Sequence, residues 1–72
     1  MRIKTIVKKL SKIKSRVDNN SFDLDKAVNS VYDLRGKLYI KLKVSVKKKR
    51  DTSFIREIID YADNLEYRIL SL

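Results

Sequence analysis

The chain has 72 residues, 43% of them apolar, no cysteine and no histidine, and a formal charge of +9. A domain this small buries only about 60% of the surface its unfolded chain exposes, and disulfides and the usual zinc ligands are excluded, so helix packing or self-association must hold it. One glycine and no proline disfavour a turn-rich β-barrel, the longest unbroken apolar run (Leu38 to Ile40) excludes a transmembrane helix or a signal-peptide core, and the charge attracts polyanions.

Charge is distributed in blocks: +6 over residues 1–18, −2 over 19–34, +8 over 35–50 and −3 over 51–72. No linker or repeat interrupts them, which predicts one domain over 1–72.

The first segment places Ile3, Ile6, Val7, Leu10, Ile13 and Val17 on one stripe, predicting a helix over about 3–18. Asn19 and Asn20 tolerate the backbone that ends a helix. On the opposite face Lys4, Lys8, Lys12 and Arg16 recur every fourth residue, with Arg2 and Lys9 on the same arc. Like charges at that spacing destabilise a helix by a few tenths of a kcal/mol per pair. A merely soluble face would mix signs, so the row reads as phosphate contacts, against a plain solvated lysine face or pairing with acids of the third helix.

The second segment opens with Asp23 as N-cap and Asp25 in the first turn, and Phe22 with Ala27 has the spacing of a hydrophobic staple. Its stripe of Leu24, Val28, Val31, Leu34, Leu38, Leu42 and Val46 predicts a long basic helix over about 23–48. Two residues disturb it: Arg35 falls within the apolar arc, and Gly36 costs about 1 kcal/mol relative to Ala. The run "LYIKLKVSVK" also alternates with the period of a strand. The alternative is therefore a strand over 38–47, paired across a dimer because a lone strand has two open edges. In the helical reading the far end of the helix projects past the core, and Val44 and Val46 call for a homodimer to cover them.

Two further features lie in the +8 block. Tyr32 and Tyr39 share one edge of the helix with Lys43 and Arg50, a pattern suited to base stacking, although tyrosines commonly border a core with their hydroxyls in water. Lys41 and Lys43, with the run Lys47, Lys48, Lys49 and Arg50, form a second candidate phosphate row. The same run suits a helix C-terminus, where cations are favoured.

In the third segment Ile55, Ile58, Ile59, Ala62, Leu65 and Ile69 form a stripe, predicting a helix over about 52–70 capped by Thr52 or Asp51. Glu66 lies on its apolar side, so Arg35 and Glu66 are expected to form a structural ion pair, failing which the second helix bends at Gly36 and exposes Arg35. Asp60 and Asp63, one turn apart, could hold Mg²⁺ through water but read as a solvated acidic face.

The fold expected is an all-α three-helix bundle with short connections and antiparallel neighbours. Without His, Cys, a glycine-rich phosphate loop or a carboxylate-rich metal loop, no enzyme activity, cofactor or metal is expected. The function expected is nucleic-acid binding, DNA or RNA, through the phosphate backbone with little sequence preference, in a cytoplasmic setting. The alternative is a non-catalytic adaptor docking an acidic protein partner through Val44, Val46, Leu70 and Leu72. Membrane-surface binding by the first helix ranks last, since it carries no aromatic side chain.

The stretch "IVKKLSKIKSRVDNNSFDLDKAV" resembles the opening hairpin of the exonuclease VII small subunit family. Leu10, Ile13, Val17, Asp18, Asn20, Phe22, Leu24, Asp25, Ala27 and Val28 carry the resemblance over about a third of the chain. It implies a small helical accessory subunit. The strongly basic first helix, Gly36 and the third helix depart from that family's pattern.

Overall fold

The computed structural model describes residues 2–19 and 23–71. Asn20, expected to end the first helix, Phe22, expected as a staple, and Leu72, expected in an exposed apolar surface, lie outside them. The chain forms three helices: α1 (Ile3–Asp18), α2 (Leu24–Lys47) and α3 (Ser53–Leu70). At ~1.5 Å per residue they run to ~24, ~36 and ~27 Å, within a body of 41 × 20 × 16 Å.

The core is assembled from one stripe of each helix. Ile6, Leu10, Ile13 and Val17 of α1 meet Ala27, Val31, Leu34 and Leu38 of α2 and the isoleucines, Ala62 and Leu65 of α3. Each large side chain so buried stabilises the fold by about 1.5–3 kcal/mol relative to exposure. The main seam is α2 on α3. Arg2 and Thr5 share a groove with Lys37, Ile40 and Lys41, whereas Lys12 and Arg16 share one with Ser30 and Asp33. Because α1 begins beside Lys41, the last turns of α2 reach past it, and Val44 and Val46 stand about half exposed.

The strand alternative for residues 38–47 is not realised. That stretch is helical throughout, and no strand occurs among the described residues. Leu38 is fully buried and Leu42 packs partly against the core while Ile40 between them is 66% exposed; a strand would put all three on one side, and a helix turns Ile40 away. The helix continues through Gly36 without a left-handed residue.

The helix ends follow local chemistry. Asp23 Oδ1 accepts a hydrogen bond from the Asp25 N–H at 2.9 Å, capping α2. At its far end the Arg50 N–H reaches the Ser45 carbonyl (2.9 Å) and the Lys49 N–H the Val46 carbonyl (3.1 Å). This is the Schellman arrangement, which asks for a left-handed residue, normally glycine. Here that residue is Lys49, with φ of 57°. Asp51 then opens α3, accepting from the Ser53 N–H (3.0 Å) and hydroxyl (2.8 Å). Those two bonds, the backbone one first, hold the Asp51 carboxyl below its ordinary range. Thr52, at the cap position itself, makes no side-chain cap bond. Helix α1 has neither a side-chain cap nor an acid in its first turn.

Candidate nucleic-acid interface

The apolar stripe of α1 fixes which of its faces looks outward. Turning Ile6, Leu10, Ile13 and Val17 inward leaves Lys4, Lys8, Lys12 and Arg16 exposed. Four-residue steps space these cations ~6 Å apart along ~18 Å of helix. Among the described residues, no acid forms a salt bridge with Lys4, Lys8 or Lys12. Arg16 lines the groove between α1 and α2 with Lys9, Lys12, Ser30 and Asp33 and is engaged within the fold.

The second candidate row is divided by the helix. Two residues along an α-helix turn it by ~200°, so Lys41 and Lys43 point to different sides. Lys41 is partly buried in the groove with Arg2 and Lys37, while Lys37 is paired to Asp33 at 3.3 Å. Lys43 and Lys47 are exposed on the other side, and Lys48, Lys49 and Arg50 are exposed in the turn. The structure therefore brings Lys41 to the α1 side and leaves Lys43 apart from it.

Arg35 sits at the α2–α3 seam with its side chain 21% exposed. Its Nη1 donates to Asp63 Oδ1 at 2.8 Å and also lies against Glu66 Oε2. That Glu66 oxygen is shut from solvent and accepts no well-directed hydrogen bond among the described residues, so its attraction to Arg35 is charge on charge. The guanidinium is held above the ordinary arginine value. The hydrogen bond to Asp63 contributes most; burial opposes it, and the charges of Glu66, Asp63 and Tyr39 add to it. Asp63 is thus a seam residue rather than part of a solvated acidic face. Its signal in the sequence was its place one turn before Glu66.

Tyr32 and Tyr39 are exposed by 66% and 49%. Arg35 already lies over the Tyr32 ring, 5.4 Å from its centroid. With Asp63 and Glu66 bound to the same arginine, this edge offers carboxylates next to the aromatic faces, an unfavourable neighbourhood for phosphate. No group of three or more acids that could hold a metal ion occurs among the described residues, and no described helix is long and apolar enough to cross a membrane.

Comparison of the chain with protein-family models, curated proteins and solved structures gives no match. The likeness of the first hairpin to exonuclease VII small subunits therefore does not extend to a family assignment.

Proposed function

We propose that this protein binds nucleic acid through the phosphate backbone, with little preference for sequence. The outer face of α1 is the primary contact, through Lys4, Lys8, Lys12 and Arg16. Arg2 and Lys41 extend it along the groove toward α2, and Lys43 and Lys47 to Arg50 make a separate, peripheral patch. One observation carries the reading: Lys4, Lys8 and Lys12 stand exposed in register with no acid partner among the described residues, while Asp63 and Glu66 of α3 are committed to Arg35. Cations spaced in this way position a polyanion without reading bases. An intracellular setting goes with such a ligand.

The test is fluorescence anisotropy of labelled single-stranded DNA, duplex DNA and RNA across a salt series. Three phosphate contacts by Lys4, Lys8 and Lys12 give a log–log salt slope of at least about −2.7 on duplex DNA. An affinity that hardly changes between low and moderate salt overturns the mechanism.

A second reading is favoured by a different observation. Val7, Leu10, Phe54, Ile58 and Tyr61, with Ser11 and the acid Glu57, line a mostly apolar groove of about 260 Å³ between α1 and α3, and Phe54 is 59% exposed. Such a groove beside a basic helix suits an adaptor that docks an acidic protein partner. Absence of binding to any nucleic acid at low salt moves the assignment to that reading.

A further inference from the structure

The strand-like alternation of residues 38–46 has a helical explanation that leaves something over. Leu38 and Leu42 face the core. Ile40 and Val44 form a second four-residue series on the far side of α2, exposed by 66% and 47%. Two apolar stripes about 200° apart on one helix interleave into an alternating sequence. The inner stripe packs into the core, and the outer one is left exposed, with Ile40 bordering the groove it shares with Arg2 and Thr5 at the start of α1.

Gly36 lies on that outer face, and the fold of one chain gives no reason for it. It is helical and exposed, and a Cβ added there meets nothing within 4 Å. A glycine whose side-chain space is empty and whose backbone is ordinary suits the close approach of another backbone.

The outer face has a spacing that reads the same in both directions. Asp33, Gly36, Ile40, Val44 and Lys47 are separated by three, four, four and three residues. At ~100° per residue all lie within about 40° of the direction of Ile40. Two pairs equidistant from Ile40 are complementary: the acid Asp33 answers the cation Lys47, and the side-chain-free Gly36 answers Val44, while the like-charged Lys37 and Lys43 flank the stripe at ~60° to either side.

We propose that a second copy of this chain packs on this face, α2 against α2 and antiparallel, with the two-fold axis beside Ile40. Ile40 then meets Ile40 of the second copy, Val44 fills the space left at Gly36, and Lys47 approaches Asp33, as an isologous interface requires. Asp33 already holds Lys37 of its own helix at 3.3 Å, so the second lysine makes it a bridging carboxylate. The axis stands normal to the plane of the paired helices. It therefore keeps both α1 helices on one side of the pair. Val46, two residues from Val44, lies outside the stripe. The interface is small, at the low end of the range for specific association, so the dimer is concentration-dependent.

The absence of cysteine makes the test clean. Single-cysteine chains are prepared and oxidised in ~0.3 M salt, where repulsion between two chains of +9 is largely screened. The variant Ile40→Cys should crosslink to itself. Asp33→Cys should not, since its two copies sit ~21 Å apart along the paired helices, yet it should crosslink when mixed with Lys47→Cys. Self-crosslinking of Asp33→Cys faster than Ile40→Cys indicates parallel pairing and overturns the register. Light scattering supplies the second arm. Gly36→Leu should raise the melting temperature at high dilution yet weaken the dimer at least tenfold. Asp33→Lys and Lys47→Asp should each weaken it, and together restore it. A chain that remains monomeric at ~1 mM, tight enough to detect even weak pairs, overturns the proposal outright.

Discussion

Lys8 and Arg35 are both cations on helices of one small bundle, held in opposite circumstances. Arg35 is four-fifths covered, bonded to Asp63, pressed against Glu66 and stacked over Tyr32. Lys8 is exposed on a row of like charges, with no acid partner among the described residues. The first arrangement needs its partners to be tolerated at all, because an unpaired charge in a seam is costly. The second lowers helix stability slightly and does nothing visible for the fold. A cation that costs stability and is left unsatisfied is available to something outside the chain, whereas one that is satisfied internally is structural. The acids divide the same way: Asp63 and Glu66 of α3 are spent on Arg35, and Asp18, the one acid of α1, pairs with Arg68 of α3 at 2.6 Å, which leaves the lysine row of α1 uncompensated.

The largest expected effect breaks the basic side of this contrast. Replacing Lys4, Lys8 and Lys12 together with Gln should reduce the salt slope of duplex binding by about 2.7, which is ~40-fold of salt sensitivity between about 50 and 200 mM. The same variant should unfold no more easily, because three unfavourable four-residue pairs of cations (Lys4–Lys8, Lys8–Lys12 and Lys12–Arg16) are removed at about 0.2–0.5 kcal/mol each. Anisotropy and urea melts on one preparation check both signs.

Arg35→Met should do the reverse. Glu66 is left as a covered charge without its partner, and stability falls by about 1–3 kcal/mol, less than for a fully buried pair because both side chains keep about a fifth of their surface in water. Adding Glu66→Leu should recover most of that loss. Nucleic-acid affinity should stay within about twofold per molecule folded, since Arg35 is committed to the seam. A large loss of affinity in the singly substituted, still folded chain places Arg35 in the interface instead.

The stripes of α1 and α3 were legible because each has one apolar face, and a single period of 3.6 survives any reasonable counting. The region from Leu38 to Val46 was not, and the reason is specific: Leu38 and Leu42 make one helical face while Ile40 and Val44 make another, so the sum imitates a strand. The Arg35–Glu66 contact could be anticipated because each residue interrupts an apolar stripe. Asp63 carries a weaker signal, its place one turn before Glu66, because its approach to Arg35 depends on the register of α2 on α3. The division of Lys41 from Lys43 follows once the helix is known, and only then. Gly36 in the sequence suggests a defect or a bend, yet the helix runs through it and a side chain there would meet nothing. Gly36→Ala should therefore stabilise the dilute monomer by about 1 kcal/mol, read as a higher urea midpoint with unchanged slope.

A smaller gain is expected at the turn between α2 and α3. Lys49 holds φ of 57°, a conformation that costs a side-chain-bearing residue about 1–2 kcal/mol and glycine almost nothing. Lys49→Gly should raise stability by about 0.5–1 kcal/mol, the remainder going to the greater freedom of the unfolded chain. It also removes one cation from the turn. If that turn is a peripheral contact, duplex affinity falls only slightly as stability rises.

The smallest effect concerns Asp51 and is best read as a pH dependence. Its carboxylate accepts from the Ser53 backbone and hydroxyl, and its folded pKa is held down by those bonds. A group with a depressed folded pKa binds protons more readily when unfolded. Its contribution is therefore complete above the unfolded value and disappears as the pH falls through the folded one. Asp51→Asn keeps an acceptor for the Ser53 N–H but carries no titrating charge. The wild type should lose part of its advantage over Asp51→Asn as the pH is lowered from neutral into the acid range, and the two should converge once Asp51 is protonated in the folded chain. Urea midpoints at a series of pH values measure this difference directly. A difference that does not narrow on acidification means that hydrogen-bond geometry rather than charge starts α3.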